Sequence, residues 1–444
     1  MTLGTSPHPG FRGAPGFHRA GLVAAALAVG GFSGAQAQSA DGTEAAELYD
    51  PIAIHLYWRQ DPTTTMLIDW QTLEGQERDT VIQYRPTGTA EEWATQTGDT
   101  RPFPHSDRTI HRVELSGLEP GTTYDFRFGE DSVEYKLRTM PATAERPVRV
   151  VFGGDTLHHQ QHMERVNREA MRYDPEFYVW GGDLAYADAN PERVHLWYDW
   201  YESMKKSMIT PEGRVIPAVV GIGNHEVQQY YYFRHEDYEP TDEFRESIAS
   251  FFFGLFDWPG QPGYDVLDFG DYMSIVMLDT DHANPIEGEQ TEWLEQVLAE
   301  RQDVPHLFPV YHVPGYPSHN VYGDQVNVRV RDVWMPLFEK FGVRVAFENH
   351  DHTYKRTHPI RGEQLHPAGI VYIGDGAWGV VHRPVHDPEE TWFLKRAEPV
   401  RHFILATLHG AHHHFLMVDE YGNVIDEYPE APTLRWSREE VQGN

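Results

Sequence analysis

The chain has 444 residues, which is enough for two or three domains and a sizeable core. It has no cysteine, so disulfide bonds and thiolate metal ligands are excluded, and any metal ion is left to His, Asp, Glu, Asn or Tyr. The formal net charge of −32 argues against nucleic acid as a partner and repels polyanionic substrates unless cations in a site reverse the local field.

Residues 1–37 predict a secretory signal peptide. A basic segment with Arg12 and Arg19 precedes the apolar run AGLVAAALAVGG, and Ala35 and Ala37 frame a cleavage site of small residues. The apolar run is too short to span a bilayer, and no later run is long enough. We therefore expect a secreted or periplasmic mature chain without a membrane span; an N-terminal membrane anchor is the alternative.

Residues 48–141 are predicted to be all-β. Short runs rich in β-branched and aromatic residues, separated by turn signals, indicate strands at TTTMLIDWQT, DTVIQYRP, HRVELSG and TYDFRFG. The stretch LSGLEPGTTY, Leu115 to Tyr124, resembles the L-x-x-L-x-P-x-T-x-Y pattern of fibronectin type III-like sandwiches. Such a domain either forms a structural lid beside the active site, which is the favoured interpretation, or binds a wall, a glycan or a partner chain.

Residues 146–430 are predicted to form an α/β domain. Strands at RVVFGGD, PEFYVWGGD, RVIPAVVGIGNHE, YMSIVMLDT, HLFPVYH and VRVAFENHDH are interspersed with helices at HMERVNREAMRY and EQTEWLEQVLAER. This alternation favours buried sheets, and ligands commonly gather at strand ends in open α/β sheets.

Five segments at predicted strand ends carry side chains that metals prefer. They are GGDT with Asp155, GGDLAY with Asp183 and Tyr186, GNHE with Asn224, His225 and Glu226, PVYH with His312, and NHDH with His350 and His352. Singly, such an aspartate is more often a cap or turn former, such a histidine a core residue, and such a tyrosine part of the packing. Together, in this order, they indicate a metal site.

The series resembles that of the purple acid phosphatases, within the calcineurin-like metallophosphoesterases: D-x-G, G-D-x-x-Y, G-N-H-[DE], V-x-x-H and G-H-x-H. The resemblance covers most of residues 148–380, and the N-terminal region resembles the domain that precedes catalysis in plant-type members. It implies a fibronectin III-like sandwich followed by two packed mixed β-sheets flanked by helices. Leu157 stands where the family has Gly and many relatives have a ligating His, Pro309 replaces Val, and Asn349 replaces Gly.

The resemblance implies two metal ions bridged by Asp183. The remaining ligands would be Asp155, Tyr186 and His352 in the first site, and Asn224, His312 and His350 in the second. Carboxylate and phenolate are hard anionic ligands that suit Fe(III), whereas two imidazoles, an amide oxygen and a shared carboxylate suit Zn, Mn or Fe(II). A Tyr186 phenolate on Fe(III) would also give the family's purple colour.

The implied function is a secreted acid phosphatase that hydrolyses small phosphate monoesters by attack of a metal-bound hydroxide. Asn224 and His225 would bind the substrate, with His225 also catalytic through donation to the phosphoryl oxygens. His319, in the Gly/Pro loop after His312, is a candidate substrate-binding residue and acid for the leaving oxygen, and a solvated loop residue is the equal alternative. Glu226 is expected to orient a neighbour rather than to react.

Three further interpretations stay open. His158 and His159 are expected to support the ligands or to start a helix rather than to bind metal. A metallophosphodiesterase or nucleotide hydrolase of the same superfamily is disfavoured by Tyr186 and by the missing histidine at Leu157. A non-catalytic phosphate- or metal-binding protein is disfavoured because no implied ligand is missing. The sequence indicates no particular oligomeric state.

Overall fold

The computed structural model describes residues 47–76 and 78–433. The predicted signal peptide, residues 1–37, lies outside the described residues. From Leu48 onward the described chain belongs to one compact unit. Within the described residues, no helix is both long enough and apolar enough to cross a membrane.

Eight strands form the N-terminal part of this unit. They are β1 Ile54–Tyr57, β2 Met66–Thr72, β3 Val81–Pro86, β4 Ala94–Thr97, β5 Asp99–Pro102, β6 Thr109–Leu115, β7 Thr123–Arg127 and β8 Glu134–Arg138. They build two antiparallel sheets, in the orders β1-β2-β6-β5 and β4-β3-β7-β8. The predicted all-β sandwich is confirmed, although the sequence indicated only β2, β3, β6 and β7.

The turn before β7 is fixed by a tyrosine. The hydroxyl of Tyr124 accepts a hydrogen bond from the backbone N–H of Glu119 at 2.8 Å. A tyrosine that bonds back to the chain a few residues upstream is a recurrent corner in such sandwiches. This contact explains the local pattern of LSGLEPGTTY.

The sandwich is joined to the following domain by buried polar contacts. His55 of β1 donates from Nε2 to the carbonyl of Ala218 at 2.8 Å, and Arg112 of β6 donates to the carbonyl of Leu255 at 3.0 Å. Arg112 also pairs with Asp257. Strands β1 and β2 are consequently buried along their whole length rather than on alternate residues.

The second part of the unit contains fifteen of the described strands. They are β9 Val148–Gly153, β10 Phe177–Trp180, β11 Ala218–Val220, β12 Asp265–Phe269, β13 Met273–Met277, β14 His306–Val310, β15 Val345–Phe347, β16 Tyr354–Thr357, β17 Ile360–Arg361, β18 Gln364–Leu365, β19 Val371–Gly374, β20 Leu394–Glu398, β21 His402–His409, β22 His412–Asp419 and β23 Val424–Tyr428. The helices are α1 Gln160–Met171, α2 Val194–Ser207, α3 Asp242–Ile248, α4 Ser250–Leu255, α5 Glu289–Glu300, α6 Gln325–Arg329 and α7 Met335–Lys340.

These strands form two large mixed sheets and one small hairpin. The six-stranded sheet has the order β11-β10-β9-β21-β22-β23, with β9, β10 and β11 parallel. The seven-stranded sheet has the order β12-β13-β14-β15-β19-β16-β20, with β13, β14, β15 and β19 parallel. Strands β17 and β18 pair separately.

The two sheets pack face to face, with helices on their outer sides. Val150 and Phe152 of β9 lie in the core between the sheets, where Phe152 stacks on Phe347 of β15 at 3.9 Å between ring centroids. Val151, on the opposite face of β9, packs with residues of α1 and α2. The predicted pair of packed mixed sheets flanked by helices is confirmed.

Candidate metal centre

The candidate ligands follow the carboxyl ends of parallel strands from both sheets. Asp155 comes two residues after β9, and Asp183 three residues after β10. His312 comes two residues after β14, and His350 three residues after β15. Because these strand ends lie at one edge of the layered sheets, their loops converge on one point.

Left-handed backbone at non-glycine residues marks this point. The φ angles are 56° at Asp155, 55° at Asp183, 57° at Tyr186, 78° at His350 and 57° at His352. Such angles are uncommon for residues with a side chain, and they persist where the surrounding structure imposes them, often at functional sites.

One group of ligand atoms joins Asp155, Asp183, Tyr186 and His352. Carboxylate oxygens of Asp155 and Asp183 and a ring nitrogen of His352 lie within 4.8 Å of one another. The Tyr186 hydroxyl is 2.9 Å from Oδ1 of Asp155 and 3.0 Å from Nε2 of His352. Nδ1 of His352 donates to the carbonyl of Val381 at 3.2 Å, which leaves the Nε2 lone pair directed at the group.

A second group joins Asp183, Asn224, His312 and His350. Nε2 of His312 lies 3.1 Å from Oδ1 of Asn224, 3.2 Å from Oδ2 of Asp183 and 3.2 Å from Nδ1 of His350. Nδ1 of His312 donates to the carbonyl of Gly181 at 3.0 Å. The ligand atoms of Asp183, His312 and His350 also lie within 4.8 Å of one another.

The donor set fits bound cations. Asp183 belongs to both groups, and its Oδ2 is buried without a hydrogen-bond donor. Around Nε2 of His312 the nearest atoms are an amide oxygen, a carboxylate oxygen and an imidazole nitrogen, all of them electron-pair donors. Only a proton or a metal ion can satisfy such convergent lone pairs in a buried site, so the residues present fit a two-metal centre.

The close approach of the carboxylates and imidazoles shifts the pKa values of the candidate ligands. Burial lowers the pKa of His312, but the carboxylates of Asp183 and Asp155 outweigh burial and raise it to about 9. Burial opposes ionisation of Asp183, but His312 and His225 hold its pKa well below the usual range. Burial and the nearby Asp155 and Asp183 carboxylates raise the pKa of Tyr186 well above its usual value.

Glu226 ties the two loops that follow β10 and β11. Its carboxylate accepts from the backbone N–H groups of Asp183 at 2.7 Å, Leu184 at 2.8 Å and Gly223 at 2.8 Å. It therefore fixes the backbone of a candidate ligand, as expected for an orienting residue.

His225 is oriented by a residue that the sequence analysis did not single out. Nδ1 of His225 is hydrogen-bonded to Oδ1 of Asp188, and its ring packs 4.3 Å from that of Tyr186. The Asp188 carboxylate also pairs with Arg193. Asp188 lies two residues after Tyr186, the last residue of the GGDLAY segment, and this closeness is the one signal that could have found it.

The segment 381–386, VHRPVH, crosses the loops that carry the ligands, and we call it the strap. The carbonyl of Pro384 accepts from Nδ1 of His319 at 2.7 Å. The backbone N–H of His319 donates to Oδ2 of Asp351, between the two histidines of NHDH, at 2.7 Å. Among the described residues, no hydrogen bond joins His319 to a candidate metal ligand.

His158 and two of the three departures from the family pattern, Leu157 and Asn349, lie close to candidate ligands in the chain, whereas the third departure, Pro309, lies within β14. The ring of His158 packs 4.4 Å from Tyr186, and its Nδ1 accepts from the backbone of the strap at 3.2 Å. Leu157 is buried in the hydrophobic core with residues of α1 and α2, and its aliphatic side chain has no atom that could bind a metal. The side chain of Asn349 passes so close to Gly181 that a Cβ there would lie 2.0 Å from it, so glycine is required.

Comparison with known proteins agrees with this architecture. Residues 51–142 match the purple acid phosphatase N-terminal domain, and residues 148–354 match the calcineurin-like phosphoesterase family. The chain belongs to the purple acid phosphatase family. Together the two matches cover more than half of the chain.

This chain is similar in sequence to a plant and a mouse protein, and similar in fold to a solved plant structure. Purple acid phosphatase 18 of Arabidopsis thaliana is 26% identical over 68% of this chain and 66% of its own length. Acid phosphatase type 7 of Mus musculus is 24% identical over 87% of this chain and 92% of its own length. A purple acid phosphatase from yellow lupin (Lupinus luteus) seeds superposes with a TM-score of 0.68 at 18% identity, over 85% of this chain and 74% of the lupin chain. The chain thus spans slightly less than two thirds of its first-matched plant relative.

Proposed function

We propose that this chain is a binuclear-metal acid phosphatase that hydrolyses phosphate monoesters. The observation that carries the proposal is the Asp183 carboxylate, which belongs to both ligand groups and has a buried oxygen without a donor. A carboxylate in that position suits two cations held side by side. The family relationship supports the same chemistry.

The assignment of metals follows from the donor atoms. Asp155, Tyr186 and His352 would complete the first site around Asp183, and the two anionic oxygens from Asp155 and Tyr186 favour Fe(III) there. Asn224, His312 and His350 would complete the second site, whose imidazoles and amide oxygen favour Zn, Mn or Fe(II). Asp183 serves both.

The chain's own residues would bind and orient the ester. Bound metal ions supply Lewis acidity and an activated water for attack at phosphorus. Asp188 holds Nδ1 of His225, so Nε2 is the nitrogen left to donate to a phosphoryl oxygen. That nitrogen lies 3.9 Å from Oδ2 of Asp183, at the junction of the two ligand groups.

His319 is proposed as a substrate-binding residue and as the acid for the leaving oxygen. Its Nδ1 donates to the carbonyl of Pro384, so Nε2 is free to carry and release a proton. Asp351 holds the backbone of the same residue, so that one carboxylate links His319 to the loop of His350 and His352.

The substrate class and location follow from the sequence. The predicted signal peptide supports export, to the medium or the periplasm. In a chain of net charge −32, a small phosphomonoester is favoured over a polyanion because it carries fewer negative charges for the surface to repel.

Turnover of a monoester and a diester by the metal-loaded protein tests the proposal. We expect p-nitrophenyl phosphate to be hydrolysed faster than bis(p-nitrophenyl) phosphate, and Asp183→Asn to abolish both activities. Asp99→Asn, which changes an exposed aspartate of β5, is the matched control and should retain activity. Faster cleavage of the diester would favour a phosphodiesterase, and no hydrolysis by fully metallated protein would favour a binding protein.

A further inference from the structure

Arg383 lies in the middle of the strap and is anchored to the loop of the two histidine ligands. Its backbone N–H donates to the carbonyl of His352 at 3.1 Å, and its Nη1 donates to the carbonyl of His350 at 3.3 Å. The side chain is half-buried. The guanidinium is therefore held against the candidate metal centre and does not extend freely into solvent.

The charge of Arg383 is left without a carboxylate partner among the described residues. Other arginines near the centre are neutralised: Arg193 pairs with Asp188, and Arg329 pairs with Asp281. Among the described residues, no carboxylate oxygen lies within 4.0 Å of a guanidinium nitrogen of Arg383, the distance that defines an ion pair. In a chain with net charge −32, an anchored cation of this kind is available to an incoming anion.

The anchoring contacts place this charge beside both ligand groups. His350 belongs to one group and His352 to the other, and the backbone carbonyls of both accept hydrogen bonds from Arg383. The guanidinium therefore lies beside the region where the two groups meet.

We propose that Arg383 binds the phosphoryl oxygens of the substrate and of product phosphate. A guanidinium presents planar N–H donors that match phosphate oxygens in pairs, and the carbonyl of His350 occupies Nη1 alone. His225 would approach the same phosphoryl group from the loop after β11. Two donors on different loops would then orient the phosphoryl group. This inference rests on the proposed phosphatase function and adds a cation from the strap to it.

Binding of inorganic orthophosphate to metal-loaded protein, measured by titration calorimetry with elemental analysis of each sample, tests the inference. We expect Arg383→Met to weaken phosphate binding by about 10- to 100-fold, the loss of a charge-assisted hydrogen bond. Arg383→Lys should lose less phosphate affinity, because the ammonium keeps the positive charge but cannot donate two parallel hydrogen bonds. Arg361→Met, which removes an exposed arginine from β17, is the matched control and should bind phosphate as the parent does.

Unchanged phosphate affinity in Arg383→Met with full metal occupancy would overturn the inference. If Arg383→Met loses metal, Arg383→Gln decides the question because it keeps an N–H donor for the His350 carbonyl. Metal loss from both variants would assign Arg383 to holding the histidine loop, which also overturns the inference. If the parent is active and Arg383→Met binds phosphate with unaltered affinity, this inference alone is rejected. If the parent is inactive although fully metallated, the phosphatase function is rejected.

Discussion

The Arg112→Met variant is expected to destabilise the junction between the sandwich and the α/β domain strongly. Nε of Arg112 donates to Oδ1 of Asp69 at 2.7 Å, and the same guanidinium contacts Leu255 and Asp257 of the other domain. Asp257 keeps a second partner, because Arg101 donates to it at 2.7 Å. Asp69 is therefore the group that the substitution leaves uncompensated.

The size of the effect follows from the burial of Asp69. Its side chain is 6% exposed, and without Arg112 its nearest donor is the hydroxyl of Tyr57 at 3.2 Å. Removing one partner of a buried pair costs about 3–5 kcal/mol. If Asp69 instead takes up a proton in the folded variant, protonation at pH 7 costs at most about 4 kcal/mol of stability. This limit is set by the difference between pH 7 and the reference pKa of about 3.9 in the unfolded chain.

The protonation route gives the variant a pH signature. Burial already raises the pKa of Asp69 in the parent, and Arg112 partly offsets that rise. Without Arg112 the folded-state pKa rises further, so the added instability grows as pH increases above the unfolded value. At pH 5 the upper limit falls to about 1.5 kcal/mol, so the destabilisation should shrink by up to about 2.5 kcal/mol between pH 7 and pH 5.

Guanidinium denaturation followed by tryptophan fluorescence, at both pH values, measures this difference. Arg168→Met removes an exposed pair with Glu164, 2.7 Å apart on α1, and should cost only about 0.3–0.5 kcal/mol. Adding Asp69→Asn to Arg112→Met should recover most of the lost stability, because no buried charge then remains. Equal losses in Arg112→Met and Arg168→Met, or a loss that does not change with pH, would refute the reasoning.

Three further predictions concern the proposed centre. Tyr186→Phe should abolish visible colour and weaken Fe(III) retention, since the phenolate is the proposed chromophoric ligand; equal colour in the purified variant and parent would remove that role. Asp183→Ala should lose both metals and Asn224→Ala mainly the divalent one, and full occupancy of Asp183→Ala by elemental analysis would exclude the bridge. His319→Ala should slow an alkyl phosphate by about 10²–10⁴-fold and an activated aryl phosphate far less. Parallel dependence of log kcat/KM on leaving-group pKa in variant and parent would reject the acid role.

The strand-end residues were accessible to sequence analysis because local patterns encode them. Apolar β-branched runs that end in Gly-Asp or in His predict a buried strand feeding a loop, as observed for Asp155, Asp183 and His312. The exposed strands β4 and β5 escaped prediction because their residues lack an apolar face. Their pairing is set by neighbouring strands rather than by their own sequence.

Helices and contacts that depend on distant parts of the chain were also missed. Helix α2 follows a turn that Asn190 caps, but the sequence analysis did not predict the helix, because its buried tryptophans and tyrosines pack against residues from distant parts of the chain. The run RVIPAVVGIGNHE suggested a long strand, whereas the strand is only Ala218–Val220 and GNHE ends in a tight turn. Asp188 and Arg383 act through partners 37 and 33 residues away, which no local pattern specifies.

Metal analysis combined with a visible absorption spectrum of the purified protein tests the two-metal centre most directly. The structure groups Asp155, Tyr186 and His352 on one side of Asp183 and two further histidines on the other. We expect one iron and one zinc, manganese or second iron per chain, together with a broad visible band that disappears in Tyr186→Phe. A colourless protein that contains two divalent ions, or a single metal ion per chain, would contradict it.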